Sequence, residues 1–323
     1  MADIQTWVHV AAYAGGGLAM GLGAIGAAIG EGHTAASANT AISRNPESAG
    51  DIIKMMLVGQ AVAESAAIFA LVVAILLLFS NFAANSFLMV SVVLGASFSI
   101  GFGAIGSGIG AGFPAGAACM GTAHQPAMSS RLTTNMLIGS AVCQTPAIFG
   151  LVTSFILLFT DFSARPLSPT WAALIGAGLA SGLGGIGAGI GSWLVAESGC
   201  EGIARQPKAV NPVTNVMLLG QAVTQTTAIY GLLVSFILMF KVVPGSESLA
   251  PAMALLGAGL CMGIGAIGPG IGEGFTARSA VSWVARNEGA IGEITRSMLV
   301  GQAVAESTGI YSLVVALVLI FVI

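Results

Sequence analysis

One pattern occurs four times along the 323 residues: two long apolar segments joined by a short polar break. Its clearest mark is Gly59-Gln60-Ala61-Val62-Ala63-Glu64-Ser65, which returns as Gly301-Gln302-Ala303-Val304-Ala305-Glu306-Ser307. Weaker copies run from Gly139 to Thr145 and from Gly220 to Thr226. The Glu/Gln positions are Glu64, Gln144, Gln225 and Glu306, so the repeat steps by 80, 81 and 81 residues. A glycine-rich motif precedes each copy: Gly23 to Glu31, Gly103 to Ala111, Gly184 to Ser192 and Gly265 to Glu273. The polar breaks between the motifs are Ser43-Arg44-Asn45-Pro46, Ala123-His124-Gln125-Pro126, Ala204-Arg205-Gln206-Pro207 and Ala285-Arg286-Asn287-Glu288. Proline disfavours helix at the residue before it, so these breaks end helices.

Each apolar segment exceeds the ~20 residues that span a bilayer. Lipid admits only helices or closed barrels, and period-2 alternation is absent, so helices are expected. The spans predicted are 6–42, 50–80, 86–122, 129–159, 169–203, 211–241, 250–284 and 291–322. The expected fold is an all-α membrane protein of eight transmembrane helices, arranged as four tandem hairpins over 1–82, 83–163, 164–245 and 246–323. Composition agrees. The chain is 56% hydrophobic and 7% charged with a mean hydropathy of +0.94, against about 25% charge in a soluble domain. Such a chain cannot cover itself with a solvated surface. That excludes a soluble enzyme, a nucleic-acid binder and a disordered protein.

Eight of the ten basic residues (Arg44, Lys54, Arg131, Arg205, Lys208, Arg278, Arg286, Arg296) lie at or near the hairpin turns; Arg165 and Lys241 lie between hairpins. The positive-inside rule puts the turns in the cytoplasm and both termini on the opposite side. The N-terminus has no basic region of the signal-peptide type, so none is expected. Cys119, Cys143, Cys200 and Cys261 show no CxxC spacing and read as buried apolar residues. Gly21 to Gly26 fits GxGxxG, but no strand precedes it and it recurs within membrane-length segments. It reads as helix packing. Pairs such as Gly26/Gly30 and Gly187/Gly191 place a bare stripe on each first helix. Four such helices are expected to crowd together, with the bulkier second helices outside against lipid. Pro114 and Pro146 should kink the helices of the second hairpin.

Glu31 and Glu64 are centred on the first turn, and Glu273 and Glu306 on the last. Each pair therefore lies at one depth on antiparallel helices, about 24 Å from the turn. A lone charge there costs about 2.5–3.5 kcal/mol or more, and two facing carboxylates must share a proton or a cation. The first-helix position runs Glu31, Ala111, Ser192, Glu273, and the second runs Glu64, Gln144, Gln225, Glu306. The carboxylates are present or absent together, as a single paired site requires. A hydroxyl follows in every copy: Ser65, Thr145, Thr226 and Ser307. Val62, Val142, Val223 and Val304 stand two residues before the Glu/Gln position. Hairpins 2 and 3 thus keep oxygen donors that a boundary site could borrow. Several oxygens together suit a hard cation. Gln60, Gln221 and Gln302 read as packing hydrogen bonds, and Glu197 with Glu201 as an interfacial i,i+4 face.

Gly268-Pro269-Gly270-Ile271-Gly272-Glu273-Gly274, Val284-Ala285-Arg286-Asn287 and the stretch from Gly301 to Val314 resemble the c subunit of sodium-coupled F-type ATP synthases. The likeness covers essentially the whole chain as four tandem copies. It implies a rotor-ring proteolipid that carries Na⁺ (or H⁺), with no organic cofactor and no catalytic site in this chain. Carried over, the ion ligands are Glu31, Val62, Glu64 and Ser65, and Glu273, Val304, Glu306 and Ser307. Thr308 and Tyr311 match supporting positions, while Val142, Thr145, Val223 and Thr226 are neighbour-supplied donors. Ala111, Gln144, Ser192 and Gln225 mark positions that carry no ion. The implied partners are further hairpins in a ring (fused copies, or single-hairpin c subunits among them), a stator a subunit and membrane lipid. Central-stalk subunits would meet loops bearing Arg44, Arg205 and Arg286. The implied location is a prokaryotic cell membrane. The fusion of hairpins resembles V-type rotor proteolipids instead. Two sites per four hairpins would bias such a machine toward ATP-driven pumping. A proton-coupled rotor, a non-rotary channel and a structural proteolipid with the Glu pairs as helix glue remain the alternatives.

Overall fold

The computed structural model describes residues 3–82 and 86–322. These are helical, with no strand among them. Hairpin 1 is α1 (Ile4–Arg44) and α2 (Ala49–Phe79). Hairpin 2 is α3 (Leu88–His124), α4 (Ser129–Cys143) and α5 (Thr145–Phe159). Hairpin 3 is α6 (Leu167–Arg205), α7 (Val210–Thr224) and α8 (Thr226–Phe240). Hairpin 4 is α9 (Ala250–Gly265), α10 (Ile267–Val284) and α11 (Ile291–Phe321). Counted across their breaks, these make eight helices long and apolar enough to cross a membrane. Their ends fall within about two residues of the expected spans.

The hairpin turns share one geometry. Asn45, Gln125, Gln206 and Asn287 all have φ near −140° and ψ near +80°, followed by a one-turn 3₁₀ segment. Proline opens that segment in three copies; Glu288 does so in the fourth without changing its shape. Asn45 ties the first turn to the second by donating to the Ala123 carbonyl at 3.1 Å.

The first helices stand side by side in the order α1, α3, α6, α9/α10, and the second helices form an outer layer in the grooves between them. Glycine makes this spacing possible. A Cβ on Gly106 would lie 2.8 Å from the Gly185 carbonyl oxygen and from Ile186 Cα, so α3 and α6 meet backbone to backbone. Two apolar clusters fill the interior. One gathers Ala66, Ile100, Leu174 and Leu238; the other gathers Ile52, Met136, Ile203 and Met217, nearer the turns. Between them lies a buried polar layer that holds Ser107, Gln144, Ser192, Gln221, Gln225, Glu273 and Gln302.

The expected proline kinks divide. Pro146 coincides with a break at Gln144 between α4 and α5. Its missing N–H takes a bond from the ladder, and the Ala147 N–H donates to Ser107 Oγ at 2.9 Å. Pro114 does not break α3, contrary to expectation; the helix runs through it from Leu88 to His124. Hairpin 3 breaks at Gln225 without a proline. There Thr224, Thr226 and Thr227 turn their hydroxyls back onto the carbonyls of Gln221, Val223 and Thr224, a bond that bends helices. In hairpin 4 the first helix breaks instead, at Ala266, just ahead of Pro269.

The two basic residues between hairpins cap helix C-termini. Arg165 donates to the Met239 carbonyl at 2.5 Å, and Lys241 to the Ile320 carbonyl. Cations there also complement the helix dipole.

Candidate ion-binding site

Of the Glu/Gln positions, Gln144 and Gln225 are buried, Glu306 is half-buried and Glu64 is exposed. In hairpin 3 the Gln225 amide donates to Ser192 Oγ at 2.5 Å. In hairpin 1 and in hairpin 4 the two carboxyls are carried by helices that pack against each other, α1 on α2 and α10 on α11. The second helix runs unbroken through Glu64 and Glu306, whereas it breaks at Gln144 and Gln225.

Hairpin 4 holds the more enclosed pair. Glu273 is fully buried, and neither of its carboxyl oxygens has a hydrogen-bond partner among the described residues. Glu306 Oε1 accepts a 2.5 Å bond from the Tyr230 hydroxyl, which comes from hairpin 3. A buried carboxylate without partners is costly, so this pair needs a proton or a cation between its oxygens. One turn before Tyr230 on hairpin 3, the Val223 carbonyl accepts from the Thr226 hydroxyl at 2.8 Å. Hairpin 1 repeats the pair at the free end of the row. There Glu31 is half-buried and Glu64 exposed.

The carbonyl and hydroxyl positions keep a fixed local geometry. Ser65 donates to the Val62 carbonyl and Ser307 to the Val304 carbonyl, both at 2.7 Å. The Val62 carbonyl also accepts the Gln144 amide of hairpin 2 at 2.9 Å. The Gln144 amide also reaches the Ser107 carbonyl at 3.4 Å. At this junction an amide N–H₂ therefore occupies the carbonyl that the family likeness assigned to an ion. Val142, Thr145 and Val223 are half-buried; Val304, Thr308 and Tyr311 are exposed along α11. Ala111 is buried, and its carbonyl accepts from Ser140 at 3.0 Å.

The glutamines one turn earlier act as the packing bonds expected of them, and they also join neighbours. Gln302 donates to the Glu273 carbonyl (3.3 Å) and to the Gly220 carbonyl of hairpin 3 (3.0 Å). Gln221 does the same to Ser192 (3.1 Å) and to Gly139 of hairpin 2 (3.0 Å). Among the described residues Gln60 bonds only the Glu31 carbonyl, at 3.3 Å. Toward the turns, Glu197 pairs with Arg278 at 3.5 Å and Glu201 with Arg205 at 3.0 Å. The interfacial acids thus have cationic partners that their spacing alone did not disclose. Arg44 and Arg205 end α1 and α6, and Arg286 lies over the Trp283 ring.

Sequence reasoning missed Tyr230. It assigned the supporting tyrosine within one hairpin, as Tyr311 beside Glu306. The signal was nonetheless present: Tyr occupies this position only in hairpins 3 and 4, and Phe69 and Phe149 hold it in hairpins 1 and 2.

The family model for the ATP synthase C subunit matches four times, over 14–77, 94–157, 175–238 and 256–319, once in each hairpin. The K subunit of the A-type ATP synthase of Methanocaldococcus jannaschii is 31% identical over 230 residues, 71% of this chain and 96% of its own length. The ATP synthase c subunit of Thermotoga petrophila is 54% identical over 78 residues, 24% of this chain and 92% of its own length. That of Petrotoga mobilis is 59% identical over 68 residues, 21% of this chain and 71% of its own. Four matches that together cover most of the chain, one to a hairpin, identify it as a member of the ATP synthase c-subunit family with four repeats in one polypeptide.

Proposed function

We propose that this chain is a rotor-ring proteolipid of a rotary ATPase or ATP synthase. It carries Na⁺ across the membrane at two carboxylate pairs, Glu31/Glu64 and Glu273/Glu306. One observation carries the reading: Glu273 is buried with both carboxyl oxygens unpartnered among the described residues, beside Glu306, whose oxygen takes a hydroxyl from the neighbouring hairpin. Two carboxyls so placed hold a cation stably only if other oxygens complete its shell. The Val223 carbonyl and Thr226 hydroxyl belong to the same hairpin as Tyr230 and are the donors available. A cation so bound offsets the carboxylate charge, which lets the site pass through lipid without the cost of a bare ion. At a stator a subunit, an opposing cationic side chain would release it. The turns, with Arg44, Arg205 and Arg286, would face the cytoplasm and a central stalk.

Hairpins 2 and 3 carry no ion on this reading, because Gln144 and Gln225 spend their amides on the Val62 carbonyl and Ser192 Oγ. Two sites per four hairpins lower the ions moved per ATP. The same ATP then supports a steeper gradient, which favours pumping over synthesis. A carbodiimide should label Glu64 and Glu306, and Na⁺ at neutral pH should protect both. Labelling indifferent to Na⁺ would make the rotor proton-coupled. A transport ratio of one ion per hairpin would contradict the two-site reading.

A further inference from the structure

We propose that the groove between α4 and α7, beside the turns of hairpins 2 and 3, binds the phosphate of an anionic membrane lipid, with Arg131 as its cationic anchor. This goes beyond ion carriage and rests only on the chain lying in a membrane.

The groove has a volume of about 380 Å³. Arg131, Asn135 and Ile138 of α4 line it together with Asn211, Thr214 and Asn215 of α7. Both helices belong to the outer layer, and each starts directly after its turn. From Arg131 to Ile138 the helix rises about 10 Å, so the groove runs from the turns to the edge of the apolar segment. Past its polar residues the same two helices expose Leu137, Leu218 and Leu219. A phosphate at the turn side with acyl chains below it matches this order of side chains. The leucines are the reason for a lipid rather than a free anion.

The repeat shows that the charge here is unlike that of the other hairpins. The position of Arg131 is Asp51 in hairpin 1, Pro212 in hairpin 3 and Glu293 in hairpin 4. Three residues on, Lys54 and Arg296 stand where hairpins 2 and 3 have Thr134 and Asn215. Hairpins 1 and 4 thus set a base beside an acid on one helical turn, and Lys54 meets Asp51 at 3.5 Å. Hairpin 2 keeps a base there and has no acid. Across residues 83–245 the acids are Asp161, Glu197 and Glu201. Asp161 lies past the opposite end of α5, and Glu197 and Glu201 pair with Arg278 and Arg205. Arg131 is exposed and takes part in none of the ion pairs among the described residues. Lys208 adds a second positive charge in the adjoining turn. Basic pockets between membrane helices at this level hold anionic lipid headgroups.

A buried amide adds donors to the cation. Asn135 is 2% exposed and stands where the other hairpins have Met55, Val216 and Ser297. Its Oδ1 accepts from the Thr214 hydroxyl of the neighbouring hairpin at 2.8 Å. Its Nδ2 meets only sulfur, Met217 Sδ at 3.4 Å and Cys200 Sγ at 3.7 Å. Sulfur is a weak acceptor, so this amide keeps hydrogen-bonding capacity that a phosphate oxygen would take up. The bond from Thr214 also ties the two walls together, which forms the groove before a ligand arrives. Asn211 and Asn215, exposed on the α7 wall, supply further N–H donors. No lining side chain carries a negative charge, so the groove selects an anion.

The test uses the purified, assembled full-length protein in phosphatidylcholine nanodiscs doped with a photoactivatable phosphatidylglycerol, with cross-linked peptides read by mass spectrometry. The first turns of α4 and α7 should label more strongly than those of α2 and α11. Arg131→Gln should lower that labelling about fivefold, the effect of one arginine on an anionic lipid. Arg131→Lys, which keeps the charge, should retain most of it, and Lys54→Gln should leave it unchanged. A photoactivatable phosphatidylcholine should be indifferent to all three. Even labelling across the four hairpins overturns the proposal, as does phosphatidylglycerol labelling indifferent to Arg131→Gln in an assembled protein. Displacement of the label by millimolar inorganic phosphate would make this a free-anion site and overturn the lipid assignment. Labelling that vanishes in the complete enzyme would give the groove to an acidic segment of another subunit, with the same consequence.

Discussion

Gly106→Ala and Gly268→Ala test the packing of the inner helices at one repeat position in two settings. At Gly106 the added Cβ would lie 2.8 Å from the Gly185 carbonyl oxygen and Ile186 Cα, and 2.9 Å from the Ile186 carbonyl oxygen. All three are backbone atoms, so no rotamer change relieves them, and α3 must part from α6 by several tenths of an ångström. Overpacking of this kind costs about 1–3 kcal/mol. At Gly268 the same Cβ meets nothing within 4 Å among the described residues. Both variants gain the same helix propensity, about 0.8–1.0 kcal/mol, which cancels in the comparison. In single chains dispersed in mixed micelles, Gly106→Ala should therefore be less stable than Gly268→Ala by about 1–3 kcal/mol, roughly 5- to 150-fold in the unfolding constant. Helical signal against rising SDS fraction measures it. Equal stability of the two variants would refute backbone-to-backbone packing as the reason for glycine here.

Other consequences follow from the hydrogen bonds. Gln302→Leu removes two donors and leaves the Gly220 and Glu273 carbonyls without them. It should cost about 1–3 kcal/mol, and Gln60→Leu, which loses a single bond, should cost less in the same unfolding assay. Lys241→Met removes the cap on the Ile320 carbonyl and the contact with the Phe321 ring. The end of α11 should fray, seen as faster amide exchange there, with about 0.3–1 kcal/mol lost.

The hairpins, their turns and the level of the paired carboxyls were legible in the sequence, because a repeat of 80 or 81 residues exposes each position four times over. Helix continuity was less so. A proline rule applied to Pro114 and Pro146 alike found one break and missed that α3 runs through the other. The break at Gln225 depends on three hydroxyls folding back, which no single residue announces. The site's second half was harder still. A repeat fixes what lies at each position but not which neighbour a side chain turns to. The forward reach of Tyr230 to Glu306 and of the Val62 carbonyl to Gln144 appeared only once the hairpins were packed.

Carboxyl pairs that carry ions differ from pairs that merely hold helices together in what their loss does. Glu64→Gln with Glu306→Gln, in the complete enzyme reconstituted into sealed vesicles, separates the two roles. Glutamine already fills these positions in hairpins 2 and 3, so the doubly substituted ring should assemble at normal size. ATP-driven Na⁺ uptake should fall to background. A ring that fails to assemble, or one that still pumps Na⁺, would contradict ion carriage at these glutamates.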